Sequence, residues 1–376
     1  MISRRLLPLL LASLFVVMPA GAEDAKPEGI GARYTTEIIS DVSGGIAHGT
    51  GWLGRLDLHA DSGDGFLGIP GASAHVDVFL LHGPRFSDRF VGDVQTVSNI
   101  DAPSALRPFE AWVQLPVATD VRAKVGLIDL NDEFDQQSLG DPFLNSSFGI
   151  GPDYSQSGRN GPSIYPVTSP GLVIAAEHGG TSLRIGIFDA EPGFPDHPGR
   201  FLPGPFGRDG ALIAAEAGWA LGKGARMQIG GWRYTDRFPR IDGSGRAASD
   251  GAYALVEGRL AGSEQGRAWR AWLRTGVAAD AVNPIDLYIG GGTSYGDQAT
   301  LFGFAIARAG LGSPGRRAGI GAHDAETTIE AMASGRLTGF LTIEPDVQYV
   351  VHPSWRADLR NVLVLALRFH VSVGAD

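Results

Sequence analysis

From residue 33 onward the chain alternates apolar and polar positions with period two, in one short window after another. Trp52, Gly54, Leu56 and Leu58 share one parity, and Arg55, Asp57 and His59 share the other. Farther on, Leu341, Ile343, Val347, Tyr349 and Val351 oppose Thr342, Glu344, Asp346 and Gln348. Leu363, Leu365, Leu367 and Phe369 again fall on one face. An extended strand sends successive side chains to opposite faces, so this pattern predicts strands between two different environments. Helical spacing is weak throughout. The windows predict sixteen strands, near 33–41, 50–60, 74–84, 107–116, 121–129, 171–179, 182–189, 211–221, 225–236, 251–260, 267–278, 285–292, 300–308, 325–336, 339–351 and 360–372.

The connections sort into two kinds. Those at 115–120, 179–182, 221–224 and 336–339 are tight. Those at 85–106, 130–170, 190–210, 237–250, 309–324 and 352–359 are long. Alternation of short turns with long loops is the pattern of a transmembrane antiparallel up-and-down β-barrel, with short periplasmic turns and long outer loops. The window 61–73 breaks the rule, being long where a turn is due. The alternating segment 91–99 is assigned to the second outer loop, because a strand there would put 130–170 on the wrong side. A soluble sandwich or propeller is the competing architecture. Strands of ten residues or more argue against it, since globular strands average about five or six. So do apolar faces kept to aliphatics, with aromatics near strand ends.

Composition narrows the class. Gly is 54 of 376 residues without a triplet repeat, which fits many turns and bending strands and excludes collagen. Charged residues are only 19%. Basic charge is nearly all arginine, lysine occurring only at 26, 124 and 223. A net charge of −10 argues against nucleic acid as a partner. Cys is absent, so no disulfide, thiolate metal site or Cys nucleophile exists. Arg4 and Arg5, the apolar run Leu6 to Val17 and Ala20-Gly21-Ala22 read as a secretory signal peptide over 1–22. Losing the two arginines takes the net charge from −10 to −12. A short periplasmic segment is expected at 23–32 and the barrel at 33–376.

Motifs for catalysis are weak. Gly292 to Gly296 matches G-x-S-x-G, but no helix is predicted after it, as a nucleophile elbow requires. His59 and His75 fall on polar faces of neighbouring strands, where a shared metal site competes with two ordinary lumen residues. Asp61, Asp64 and Gly65 lack the spacing of a calcium loop. No cofactor and no metal are expected. The richer constellation is spread across the polar faces: Arg55, Asp57, Asp77, Glu110, Lys124, Arg270, Glu344 and Asp346, with Trp112, Trp232 and Trp272 among them. A wall of one sign selects ions by its field. Mixed donors and acceptors suit neutral, hydroxyl-rich solutes, because each hydroxyl both donates and accepts. The plainer alternative is that these charges pair with one another.

Several segments resemble one family. They are Gly126 to Phe134, Asn145 to Asp153, Pro162 to Pro166, Gly92 to Gln95, Val97 to Ile100, Phe109 to Trp112, Glu326 to Glu330 and Glu344 to Pro353. In order, and over nearly the whole chain, these are similar to the carbohydrate-selective porins of the OprB type. The resemblance implies a sixteen-stranded outer-membrane barrel narrowed by inward-folded loops. It implies passive diffusion of glucose and related mono- and oligosaccharides, favoured by Arg, carboxylate and aromatic side chains at an eyelet. The partners expected with it are outer-membrane lipid, lipopolysaccharide and the barrel assembly machinery, with the protein a monomer or a trimer. The eyelet is expected from loop 130–170, through Asn145, Phe148, Tyr154 and Arg159, with help from 85–106. An outer-membrane enzyme or exported sugar-binding protein is the alternative. One departure is that bacterial barrels usually end on an aromatic residue, whereas Phe369 here is followed by His370 to Asp376.

Overall fold

A computed structural model describes residues 29–194, 210–222, 224–263 and 266–374. The segments expected as signal peptide, and most of the stretch expected before the barrel, lie outside the described residues. Sixteen strands close into one antiparallel barrel, each bonded to its sequence neighbours and β1 to β16. The strands are β1 (Gly29–Ser43), β2 (Gly49–Asp61), β3 (Ser73–His82), β4 (Ala105–Ala118), β5 (Val121–Ile128), β6 (Ser169–His178), β7 (Thr181–Asp189) and β8 (Ala211–Gly222). They continue as β9 (Ala225–Pro239), β10 (Arg246–Gly262), β11 (Ala268–Ala278), β12 (Ile285–Gly296), β13 (Thr300–Leu311), β14 (Ala325–Arg336), β15 (Leu341–Val351) and β16 (Val362–Gly374). Among the described residues no helix is long and apolar enough to cross a membrane; crossing falls to the strands.

Closure explains the two-environment pattern. Each strand pairs on both sides around the closed ring, so no open sheet edge is left to lipid. One parity points outward and carries exposed aliphatics such as Ile174, Ile185, Ile213, Ile229 and Leu273. The other parity points inward. At one end the strands are joined by tight turns. Gly179 and Gly180 link β6 to β7 with φ of 59° and 79°, a left-handed pair that tolerates no ordinary side chain cheaply. The connection 62–72 is the long exception at that end. The segment 91–99 lies in the connection between β3 and β4 and is not a strand.

Two expectations change. The barrel begins at Gly29, within the segment expected to precede it. The expected loop 237–250 shrinks to 240–245, because β9 and β10 run on as a hairpin beyond their neighbours. There the strand meets water on both sides, so the amphipathic signal that marks its length disappears.

The barrel is not hollow. The β5–β6 connection, 129–168, folds inside and docks through aromatic side chains. Phe134, Ile150 and Tyr154 sit with Trp232, Tyr234 and Tyr253 in one buried cluster. Phe143 and Phe148 sit with Leu255, Trp272 and Tyr288 in another. The β3–β4 connection, 83–104, also turns inward. Its Phe86, Val91, Val97 and Ile100 pack on Ile39, Leu53, Val350, Val362 and Val364. Burying such side chains contributes on the order of 1.5–3 kcal/mol each.

Candidate functional site

Two inward loops leave open space along the β1–β5 side of the lumen. Buried carboxylates on the wall hold the longer loop by its backbone. Glu330 accepts from the amides of Leu144 at 2.6 Å and Asn145 at 3.0 Å. Glu216 accepts from the Asp135 amide at 2.9 Å and from the Tyr253 hydroxyl at 2.7 Å. Arg274, fully buried, donates to Asp135 at 3.1 and 2.7 Å and also to Asp153. Burial pushes the Asp135 carboxyl up to about 6, although Arg274 opposes the shift. The shorter loop is held the same way: Glu326 accepts from Val94 at 2.9 Å and Gln95 at 3.0 Å, and Gln348 donates to the Val97 carbonyl at 2.7 Å. The loops also bond each other, Asn99 to the Leu144 carbonyl at 2.7 Å and Ser146 to the Thr96 carbonyl at 3.0 Å.

Two of the cavities among the described residues lie between the loops and the β1–β5 wall. One, of about 350 Å³, is lined by Gln95, Asn99, Asp101, Asn131, Ser146 and Gln156 among others. The second, of about 340 Å³, lies toward the short-turn end and is lined by Arg33, Asp57, His59, Asp77, Glu110 and Asp132 among others. Arg55, Asp129 and Tyr165 line both and so mark where the chambers meet. Arg55 comes from β2, Asp129 from the end of β5, and Tyr165 from the inward loop. The Arg55 guanidinium pairs with Asp57, Nε lying 2.8 Å from one carboxylate oxygen and Nη2 donating to the other at 3.1 Å. Its carbon lies 5.0 Å from the centre of the Phe79 ring and 5.5 Å from that of Tyr165. Tyr165 is fixed by donating to the Ile100 carbonyl at 2.9 Å. Burial, with Asp132 and Glu110 close by, holds the Asp129 carboxyl well above the usual range.

All eleven wall residues singled out by parity point inward, but they do not form one cluster. Arg55, Asp57, Asp77 and Glu110 line the second chamber together. Lys124 does not open to the passage. It is buried against Glu133 of the loop and lies 4.3 Å from the Trp112 ring centre. Trp112 is covered on its face by His75 at 5.3 Å and donates to Glu110 at 3.1 Å. Trp272 is buried against Phe143 and Phe148, and Trp232 stacks on Tyr154 at 4.1 Å. Their rings hold the loop rather than face a solute. Arg270 donates to the Gly296 carbonyl at 3.1 Å, away from the chambers. On β15, Glu344 binds His370 at 2.8 Å, and Asp346 accepts from Gln348 at 3.1 Å.

The loop residues expected at the eyelet are anchors. Asn145 is buried, caps a turn through Ser147 at 3.0 Å and donates to Gln348 at 3.3 Å. Phe148 and Tyr154 are buried in the two aromatic clusters. Arg159 is exposed and pairs with Glu191 at 3.0 Å, tying two long loops together. Asp129, Asn131 and Tyr165 take the place expected for them. His75 is held by Asp61 at 2.8 Å, and among the described residues no group of metal-ligating side chains converges. Ser294 of G-x-S-x-G lies inside β12, which turns straight into β13, so no strand–turn–helix elbow forms.

A closed sixteen-stranded barrel with long loops folded into its lumen defines an outer-membrane porin. The family model of the carbohydrate-selective porins, OprB family, matches residues 53–373, and the chain belongs to that family. The high-pH structure of Pseudomonas putida OprB superposes with a TM-score of 0.79 at 17% identity, covering 92% of this chain and 94% of that one. The low-pH structure of the same protein gives 0.59 at 15%, covering 92% and 93%. Pseudomonas aeruginosa OpdQ gives 0.52 at 12%, covering 94% of this chain and 99% of that one. No curated protein sequence matches the chain.

Proposed function

We propose that the protein carries neutral sugars, glucose and its relatives, by facilitated diffusion through the two chambers. The observation that carries this reading is Arg55. Its planar fork lies over two aromatic rings, beside a carboxylate, where the chambers meet. A pyranose has hydroxyls around its rim and C–H groups on its faces. Arg donates to the rim, Asp57 and Asp77 accept from it, and the half-buried Tyr165 offers an apolar face. Each chamber is near the lower limit of small-molecule sites, about 300–1,000 Å³. No bond is made or broken. A sugar exchanges water for wall hydrogen bonds, held weakly enough to leave.

The short-turn end faces the periplasm in this reading, and the chain reaches the outer membrane after loss of residues 1–22. Liposome swelling tests the substrate class. Glucose should enter faster than gluconate or arginine of similar size. Rates that follow size alone would reject it.

A further inference from the structure

Loop 129–168 fills the β8–β12 side of the lumen through its two aromatic clusters. Beside it, at the short-turn end, a third cavity of about 360 Å³ stays open. Strands β6 to β9 and the turn Gly179–Gly180 line it, and it shares no residue with the two chambers. Arg226, on its wall, donates to the Gln136 carbonyl at 2.9 Å and the Ser138 hydroxyl at 2.8 Å, which ties the loop down beside it.

Ser182, Gly218 and Gln228 form one row across β7, β8 and β9, each the register partner of the next. Two inter-strand spacings of about 4.7–4.9 Å separate the outer two, roughly 10 Å in all. The middle position has to be small. A Cβ on Gly218 would lie 2.5 Å from the Ser182 hydroxyl and 3.5 Å from Cγ of Gln228. Both side chains therefore lean over the glycine into one hollow.

The charges around the hollow are already matched. Arg184, the next inward residue on β7, donates to Glu177 at 2.7 Å and to Glu216 at 3.4 Å. Arg226 donates to Glu257 at 2.7 Å. Gln228 donates to Glu216 at 3.0 Å. Two buried atoms remain without a partner among the described residues, Nε of Arg184 and Oε1 of Gln228. Gln228 is only 3% exposed, and buried polar atoms are normally paired. Their missing partner must accept from Arg184, donate to Gln228 and extend toward Ser182. An anion would meet Glu177 there, and a cation would meet Arg184 and Arg226. A ring bearing several hydroxyls fits, because each hydroxyl both donates and accepts. The volume also falls within the about 300–1,000 Å³ of small-molecule sites.

We propose that this cavity is a second binding site for neutral polyhydroxylated solutes, sugars above all, set apart from the chambers. Its solute class rests on its own lining; only its opening to the periplasm rests on the orientation proposed above. A solute held there does not stand between the loops and the β1–β5 wall, so its occupancy leaves flux intact.

Saturation-transfer NMR with glucose, on the full mature chain in detergent, tests this. Arg55→Ala weakens the chambers and leaves the pocket untouched, so that variant should keep a saturable glucose signal. Adding Gly218→Val, which fills the hollow, should lower the remaining signal at least several-fold. Gly218→Val alone should leave glucose entry into liposomes unchanged. If it does not assemble, as judged by heat-modifiable mobility, Ser182→Leu fills the same hollow and carries the same expectations. Absence of any glucose signal in Arg55→Ala would overturn the proposal. So would a remaining signal that neither substitution lowers, since the pocket would then hold water alone. Slower glucose entry in Gly218→Val would overturn it by placing the pocket on the path. Equal competition for the remaining signal by gluconate or inorganic phosphate would overturn the neutral class. A signal lowered by Gly218→Val and untouched by Arg55→Ala would support the pocket while counting against sugar contact at Arg55.

Discussion

Replacing Arg55 by alanine removes the one side chain that touches both chambers and both aromatic rings. The structure gives two separable consequences. The first concerns the field: Asp57 loses its ion pair with Arg55, including the hydrogen bond at 3.1 Å, and the chamber it shares with Asp77 becomes more negative. Reversal potential across a salt gradient should then shift toward cations. The second concerns the sugar. A hydrogen bond from a charged donor contributes about 1.5–3 kcal/mol. Arg55 keeps 23% of its side chain accessible, so water competes and the lower end applies. That is roughly tenfold in affinity, at about 1.4 kcal/mol per factor of ten. Glucose block of single-channel current in planar bilayers should therefore need about tenfold more sugar in Arg55→Ala. Heat-modifiable mobility of the variant shows that the barrel is intact. If the reversal potential moves and the block does not, Arg55 only shapes the field, and the sugar-contact role is wrong.

Four further outcomes follow from the same geometry. Arg274→Ala leaves Asp135 and Asp153 buried without their cation, a loss of about 3–5 kcal/mol in comparable buried pairs, and single-channel recordings should show larger, noisier conductance as the loop loosens. Asp135 binds its proton more tightly folded than unfolded, since its carboxyl is raised from 3.8 to about 6. Its contribution to stability is therefore full below 3.8 and lost as pH rises through about 6; Asp135→Asn should remove that decline, at most about 1.4 kcal/mol per pH unit, from the unfolding temperature in detergent. Asp129→Asn should hardly move the reversal potential, because burial already favours the neutral acid; a large shift would show an ionised Asp129. Membrane-impermeant maleimide should label Ser244→Cys in intact cells and Thr181→Cys only after permeabilisation, and the reverse pattern would invert the orientation.

Much of the barrel is legible in the sequence because strand parity is local. Arg55, Asp57, Asp77 and Glu110 could be turned inward from their neighbours alone, and their strands are adjacent in the chain. The lumen's interior is less legible. Trp232 and Trp272 carry lumen parity, which made them look like sugar platforms. Their partners, Tyr154, Phe143 and Phe148, come from a loop far off in sequence, and no period reports which ring meets which. The aromatic run on lumen parity in β9 to β12, Trp232, Tyr234, Tyr253, Trp272 and Tyr288, was the available signal. Aromatic side chains crowded on a face expected to be wet point to something that covers it. Tyr165 and Asp129 fall in segments shared with the family, but they sit outside regular elements. Their place at the junction depends on how the loop folds back.

The central claim is that this lumen binds the sugars it passes. Its most direct test is the ion current of single wild-type channels titrated with glucose. The account predicts resolved blocking events whose frequency rises and then saturates with concentration, as occupancy of a site requires. A current that falls only in step with bulk solution conductivity, without events at any glucose concentration, would contradict it.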